Sequence, residues 1–140
     1  MIARTLFGEE HELFRASVRR FFETELAPRH EAWEDAGVVE RAAWTRAGEL
    51  GFLCTAIPEA YGGAGADRRY ATILMEEQAR LNLTGLGFAL HSDIVAPYID
   101  HYGTEAQKRR WLPGMAKGEL VASPDEFANG DRDDVGIDAR

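Results

Sequence analysis

The residues able to do chemistry in this sequence are few, and their spacing decides what they can do. The histidines are His11, His30, His91 and His101, the one cysteine is Cys54, and one stretch, "IPEAYGGAGAD" (57–67), packs three glycines into four positions ahead of an aspartate. Ser92 follows His91 directly. Adjacent residues on a helix point about 100° apart, so the two do not form a nucleophile and base, and Ser92 reads as a small packing residue. Ser17 reads as a helix-face residue. "HEAWE" (30–34) has no second histidine four residues on and is not a zinc-protease motif. The tail run "DRDDVGID" (131–138) spaces Asp131, Asp133 and Gly136 as a calcium loop would. Val135 occupies a ligand position, however, and no closing glutamate follows. Cys54 lies in the apolar run "GFLCTAI", where a free thiol acts as a small core residue rather than a thiolate.

The glycine loop has the composition of a phosphate cradle but not its spacing. A dinucleotide fingerprint needs G-x-G-x-x-G between strand and helix, and a P-loop needs a lysine after its last glycine. Gly62, Gly63 and Gly65 satisfy neither, and Asp67 would repel a phosphate. The loop reads as a bend into a helix that Asp67 caps.

The elements that must position these residues are helical throughout. Residues 9–27 place Leu13, Phe14, Val18, Phe21, Phe22 and Leu26 on one stripe, and Pro28 is expected to kink or end that helix. "RHEAWEDAG" continues as a helical stretch closed by Gly37. Residues 40–50 form a helix with Trp44, Ala47 and Leu50 inward, stopped by Gly51. "FLCTAIP" is expected to be short and extended. Asp67 starts a further helix carrying Tyr70, Ile73, Leu74 and Leu81. Residues 84–103 form the most apolar pattern and the expected central helix. Gly85 and Gly87 would each cost about 1 kcal/mol in its interior, so either close packing or a ligand makes small residues useful there. Thr104 and Gln107 make a T-x-x-Q capping box for the last helix.

The predicted fold is all-α: an up-and-down bundle of five to six helices spanning 1–122, with an irregular acidic tail over 123–140. The chain has 140 residues, 45% hydrophobic and 29% charged, the size and composition of one ordinary globular domain. A formal net charge of −8 excludes binding through a phosphate backbone, so no nucleic-acid partner is expected. The sequence lacks a signal-peptide pattern and an apolar run of membrane-spanning length, from which no membrane partner and a cytoplasmic location are expected.

Three segments in order carry a family resemblance. Pro58-Glu59-Ala60-Tyr61-Gly62-Gly63-Ala64-Gly65 resembles the "P-E-x-Y-G-G-x-G" loop of acyl-CoA dehydrogenases. "LHSDIVAPYIDHYGTEAQKRRWLPGMAKGEL" (90–120) resembles that family's approach to its flavin domain, and "LFGEEHELFRASVRRFFETELAP" resembles its first helix. "LHSDIV" is similar to the long-chain subgroup. The resemblance implies the N-terminal helical domain of a flavoprotein oxidoreductase of fatty acid β-oxidation. In that family FAD accepts a β-hydride from an acyl-CoA thioester while a glutamate takes the α-proton. The flavin motif expected after "GELVA" is replaced by "SPDEFANGDRDDVGIDAR", and the glutamate belongs to a later domain. The resemblance therefore implies no catalytic or flavin-binding residue here, no FAD binding by this chain alone, and inactivity without complementing domains. It places Thr84, Gly85, Phe88, Ala89 and Ser92 along the inner end of the acyl pocket. The alternatives are a helical interaction module, such as a homo-oligomer, and a truncated product without function.

Overall fold

A computed structural model describes residues 5–121. Its first rod runs from α1 (Glu9–Phe21) through a π-turn (Phe22–Leu26) into α2 (Ala27–Ala36). After α3 (Arg41–Glu49) come a 3₁₀ turn (Glu59–Tyr61) and α4 (Arg68–Arg80). A second π-turn (Leu90–Val95) leads into α5 (Ala96–Tyr102), and α6 (Glu105–Ala116) ends the series. Counted as continuous rods these are five, and no strand occurs among the described residues. The acidic tail assigned to 123–140, with its calcium-like spacing, lies outside the described residues.

Both π-turns sit just ahead of an Ala-Pro pair, and the prolines explain them. A proline in mid-helix lacks an amide and its ring meets the carbonyl four residues back. Widening the preceding turn relieves this: the Ala27 and Ala96 amides bond five residues back, to Phe22 and His91 carbonyls. Pro28 therefore neither ends nor breaks the first rod, which continues to Ala36. The expected helix over 84–103 also begins late. Residues 84–85 form a turn and the helix starts at Phe88, so Gly85 and Gly87 lie ahead of it and incur no helix-interior penalty. "FLCTAIP" is not extended. It folds into tight turns with Phe52, Leu53, Cys54, Thr55 and Ile57 buried and with Cys54 at a left-handed φ of 53°. Leu50, expected inward, is exposed.

The core is a run of rings in contact. Tyr70 packs edge-on to Phe14, Phe14 to Phe52, Phe21 bridges Phe52 and Phe22, and Phe88 joins Phe22 to Trp44, on which His91 stands at 5.2 Å. Tilted and edge-to-face pairs at these separations add to the burial of large apolar area. The α1–α4 seam also holds a buried carboxylate. Glu77, 2% exposed, accepts from Arg19 at 2.8 and 2.9 Å, Arg80 at 2.8 Å and Arg15 at 3.2 Å. These guanidinium bonds, Arg19's first, hold its carboxyl at about 2 against the opposing effect of burial.

Candidate functional site

The glycine loop is a bend whose amides are already used. Gly62 N–H donates to the Glu59 carbonyl, Gly63 N–H to Pro58 and Gly65 N–H to Ile57. A Cβ on Gly63 would lie 2.0 Å from the Ile57 carbonyl oxygen, so the turn closes on itself too tightly for a side chain. Asp67 then caps α4, accepting from the Arg69 amide at 2.8 Å. Those loop amides face carbonyls within the loop, an arrangement that does not fit the diphosphate of a dinucleotide.

The five residues assigned to an acyl pocket divide into two sets. Phe88 and Ser92 are buried. Phe88 packs between Phe22 and Trp44. The Ser92 hydroxyl finds no hydrogen bond of good geometry among the described residues. It lies close enough to Cys54 to oppose, weakly, the burial that pushes that thiol up to about 12. A thiol so protonated at neutral pH is a core group, as its apolar context predicts. Thr84 and Gly85 are exposed and Ala89 is half-buried.

Thr84 and Ala89 share an open groove of about 330 Å³ with Met75, Gln78, Ala79, Asn82 and Leu83. One wall is the C-terminal half of α4. The other is the 81–87 loop with the first turn of the next helix. Gln78 fixes the loop's path, donating through Nε2 to the Leu83 carbonyl at 2.9 Å and the Leu86 carbonyl at 3.0 Å. Asn82 turns the chain at a left-handed φ of 52°. A second clasp comes from α2: the Thr84 hydroxyl donates to Glu34 at 2.8 Å and the Gly85 amide to His30 Nε2 at 3.3 Å. The sequence contains no local sign of Gln78, Glu34 or His30 in these roles, because each bond crosses from one element to another.

Two further titratable groups sit on the second π-turn. Buried His91 shares a 3.0 Å hydrogen bond with the Met115 carbonyl, and burial lowers its pKa from the ordinary 6.5 despite that bond. Asp93, on the same π-turn, is pushed upward by burial, with Arg68 opposing. Another open pocket, of about 310 Å³, is lined partly by Glu25, Arg29, Arg46 and Glu49. Its charges are satisfied by one another and by a neighbour, since Arg46 pairs with Glu25 and Glu49 and Arg29 with Glu40. No group of three side chains suited to a metal ion occurs among the described residues, and no helix there is long and apolar enough to cross a membrane.

Comparison with known proteins gives this architecture a class. Residues 8–119 match the family model for "Acyl-CoA dehydrogenase, N-terminal domain". The long-chain specific acyl-CoA dehydrogenase, mitochondrial, of Sus scrofa is 48% identical over 120 residues, covering 86% of this chain and 28% of that protein. The crystal structure of acyl-CoA dehydrogenase from Geobacillus kaustophilus superposes with a TM-score of 0.80 at 44% identity, covering 85% of this chain and 31% of that one. An acyl-CoA dehydrogenase complexed with FAD from Bacillus anthracis does so with a TM-score of 0.71 at 30% identity, over 86% of this chain and 21% of that one. The fold is thus an all-helical domain found at the head of much longer chains. The chain belongs to the acyl-CoA dehydrogenase family, as its N-terminal domain, and spans less than a third of the length of these relatives.

Proposed function

We propose that this domain supplies one wall of an acyl-CoA binding cavity in an FAD-dependent α,β-dehydrogenation of acyl-CoA thioesters. The observation that carries the reading is the open groove between α4 and the 81–89 segment. Its lining sets Met75, Ala79, Leu83 and Ala89 beside the polar Gln78, Asn82 and Thr84, and so gathers Thr84 and Ala89 in one place. An acyl chain needs a concave apolar surface with few polar groups. On this reading Thr84 and Ala89 line the open side, Gly85 stands beside Thr84 on its lip, and Phe88 and Ser92 back it from the core. Long-chain substrates are favoured, in line with the 48% identical relative.

FAD, which would accept the hydride, and the glutamate base belong on this reading to the part of the family's length that the chain does not span. The domain occupies 1–122. Its docking face is the exposed row Leu90, Ile94, Tyr98 and Tyr102, spaced four apart along the second π-turn and α5. An apolar row of this size suits contact with another domain or subunit. The stand-alone module and the non-functional product are not favoured, because the same row is expected of a domain that packs against the rest of a dehydrogenase. Cytoplasm remains the compartment expected from sequence, although the mammalian relatives are named as mitochondrial.

The test is a chimera in which residues 8–119 replace the corresponding domain of the Geobacillus kaustophilus enzyme. The chimera should bind FAD and bleach it on addition of a long-chain acyl-CoA. The 140-residue chain mixed with FAD should reduce no dye with any acyl-CoA. A folded, flavin-loaded chimera that no acyl-CoA bleaches would overturn the reading, as would turnover by the chain alone.

A further inference from the structure

The groove's lip is the loop 81–87, and a pair of hydrogen bonds holds it to α2. His30, 13% exposed, accepts the Gly85 amide through Nε2, so that nitrogen carries no proton in this arrangement. One turn on, Glu34 Oε1 accepts the Thr84 hydroxyl at 2.8 Å and lies 3.6 Å from the same His30 Nε2. Two neighbouring residues of the loop are thus held by two residues at i and i+4 on one face of α2. Among the described residues the charged group within 4 Å of the imidazole is Glu34. The loop, "LNLTGLG", brings no titratable side chain of its own.

We propose that His30 and Glu34 are positioning residues forming a proton-sensitive clasp on the groove's lip. A proton added to Nε2 turns it from acceptor into donor, so the Gly85 amide loses its partner. The new N–H faces Glu34 Oε1, and the resulting ion pair competes with Thr84 for that oxygen. Both loop bonds weaken together, while the two Gln78 bonds on the other side of the loop are unaffected. Deprotonated His30 holds the lip, and protonated His30 releases it. That release would alter an acyl-chain wall rests on the function proposed above; the clasp itself does not.

The test is an amide NMR titration of the 140-residue chain, with His30 followed through its ring protons. The Gly85 and Thr84 amide shifts should move with the midpoint of the His30 ring. Gly85 exchange, normalised to its intrinsic rate, should rise about fivefold on protonation, the worth of one ordinary hydrogen bond. His30→Gln should abolish the titration of both amides while leaving the fold intact. Glu34→Gln should abolish the Thr84 response and leave the Gly85 response in place. Amide shifts of Gly85 that stay flat through the His30 titration would overturn the clasp, as would a pH response that survives His30→Gln. If Gly85 follows His30 but the chimera fails to oxidise acyl-CoA, the clasp stands and the substrate reading falls.

Discussion

Two pairs of glycines divide this molecule into a part fixed by its own packing and a part that is not. Where α3 meets the chain leaving α6, a Cβ on Gly48 would lie 2.2 Å from the Lys117 carbonyl oxygen, and one on Gly118 would lie 2.1 Å from the Trp44 carbonyl oxygen. Each backbone fills the space the other's side chain would need. Gly118 also sits at a φ of +71°. At the groove's lip the situation is the reverse. A Cβ on Gly85 would meet His30 Nε2 at 3.8 Å, and one on Gly87 would meet Trp44 Cη2 at 3.6 Å, both ordinary contacts. Of the two reasons for small residues in this segment, close packing within the chain accounts for neither glycine. The seam is determined from inside the domain, whereas the lip is left open toward whatever lies beyond it.

The sharpest way to break this contrast is to put a methyl group into the seam. Gly118→Ala should lower unfolding stability by about 3 kcal/mol in urea titration, since it combines a backbone clash with a conformation alanine disfavours. A loss no larger than that of Gly87→Ala would erase the distinction. Next in size is Glu77→Gln, which leaves three guanidinium groups facing a neutral amide. Removing one partner of a buried pair costs several kcal/mol, but Arg19 and Arg80 are 46% and 39% exposed and can be hydrated instead. About 2 kcal/mol is expected from the urea midpoint.

The pH profile of stability should follow from His91 and Glu77. His91 is depressed below its ordinary 6.5, so the unfolded chain takes up that proton first. Stability should fall as pH drops below 6.5 toward the lowered folded value, and His91→Gln should flatten that limb. Glu77 is held at about 2 against an ordinary 4.5, so its contribution is complete above 4.5 and is lost as pH falls toward 2. The smallest effects belong to the lip: Gly85→Ala and Gly87→Ala should each change stability by less than about 0.5 kcal/mol in the isolated chain.

The sequence was most legible where structure is local. The Thr104–Gln107 capping box is present, with bonds of 2.8 and 3.3 Å, and both Asp67 as N-cap and Gly37 as a left-handed stop are found in place. Each is set by residues within four positions of one another. The family motifs were legible for the same reason, since they are continuous words. What escaped depends on finer backbone adjustment or on distant partners. Pro28 reads as a kink or a helix end, yet the π-turn just before it lets the rod continue. Leu86 falls inside the apolar helical pattern over 84–103, but its carbonyl and that of Leu83 accept from Gln78 on α4, and residues 84–87 lie ahead of the helix. Cys54 takes a left-handed turn amid apolar residues that by pattern alone suggest extended chain. Of the groove, only Thr84 and Ala89 were placed from sequence, through the family resemblance. Met75, Gln78 and Ala79 join them because α4 folds alongside.

The claim that the groove is an acyl-chain wall is tested most directly by filling it. Ala89 is half-buried on its surface, so Ala89→Leu should leave the melting temperature of the 140-residue chain within a few degrees. In the chimera, the same substitution should shift flavin bleaching toward shorter acyl-CoAs, with the longest substrates losing most. An unchanged chain-length profile in a folded, flavin-loaded Ala89→Leu chimera would contradict the account.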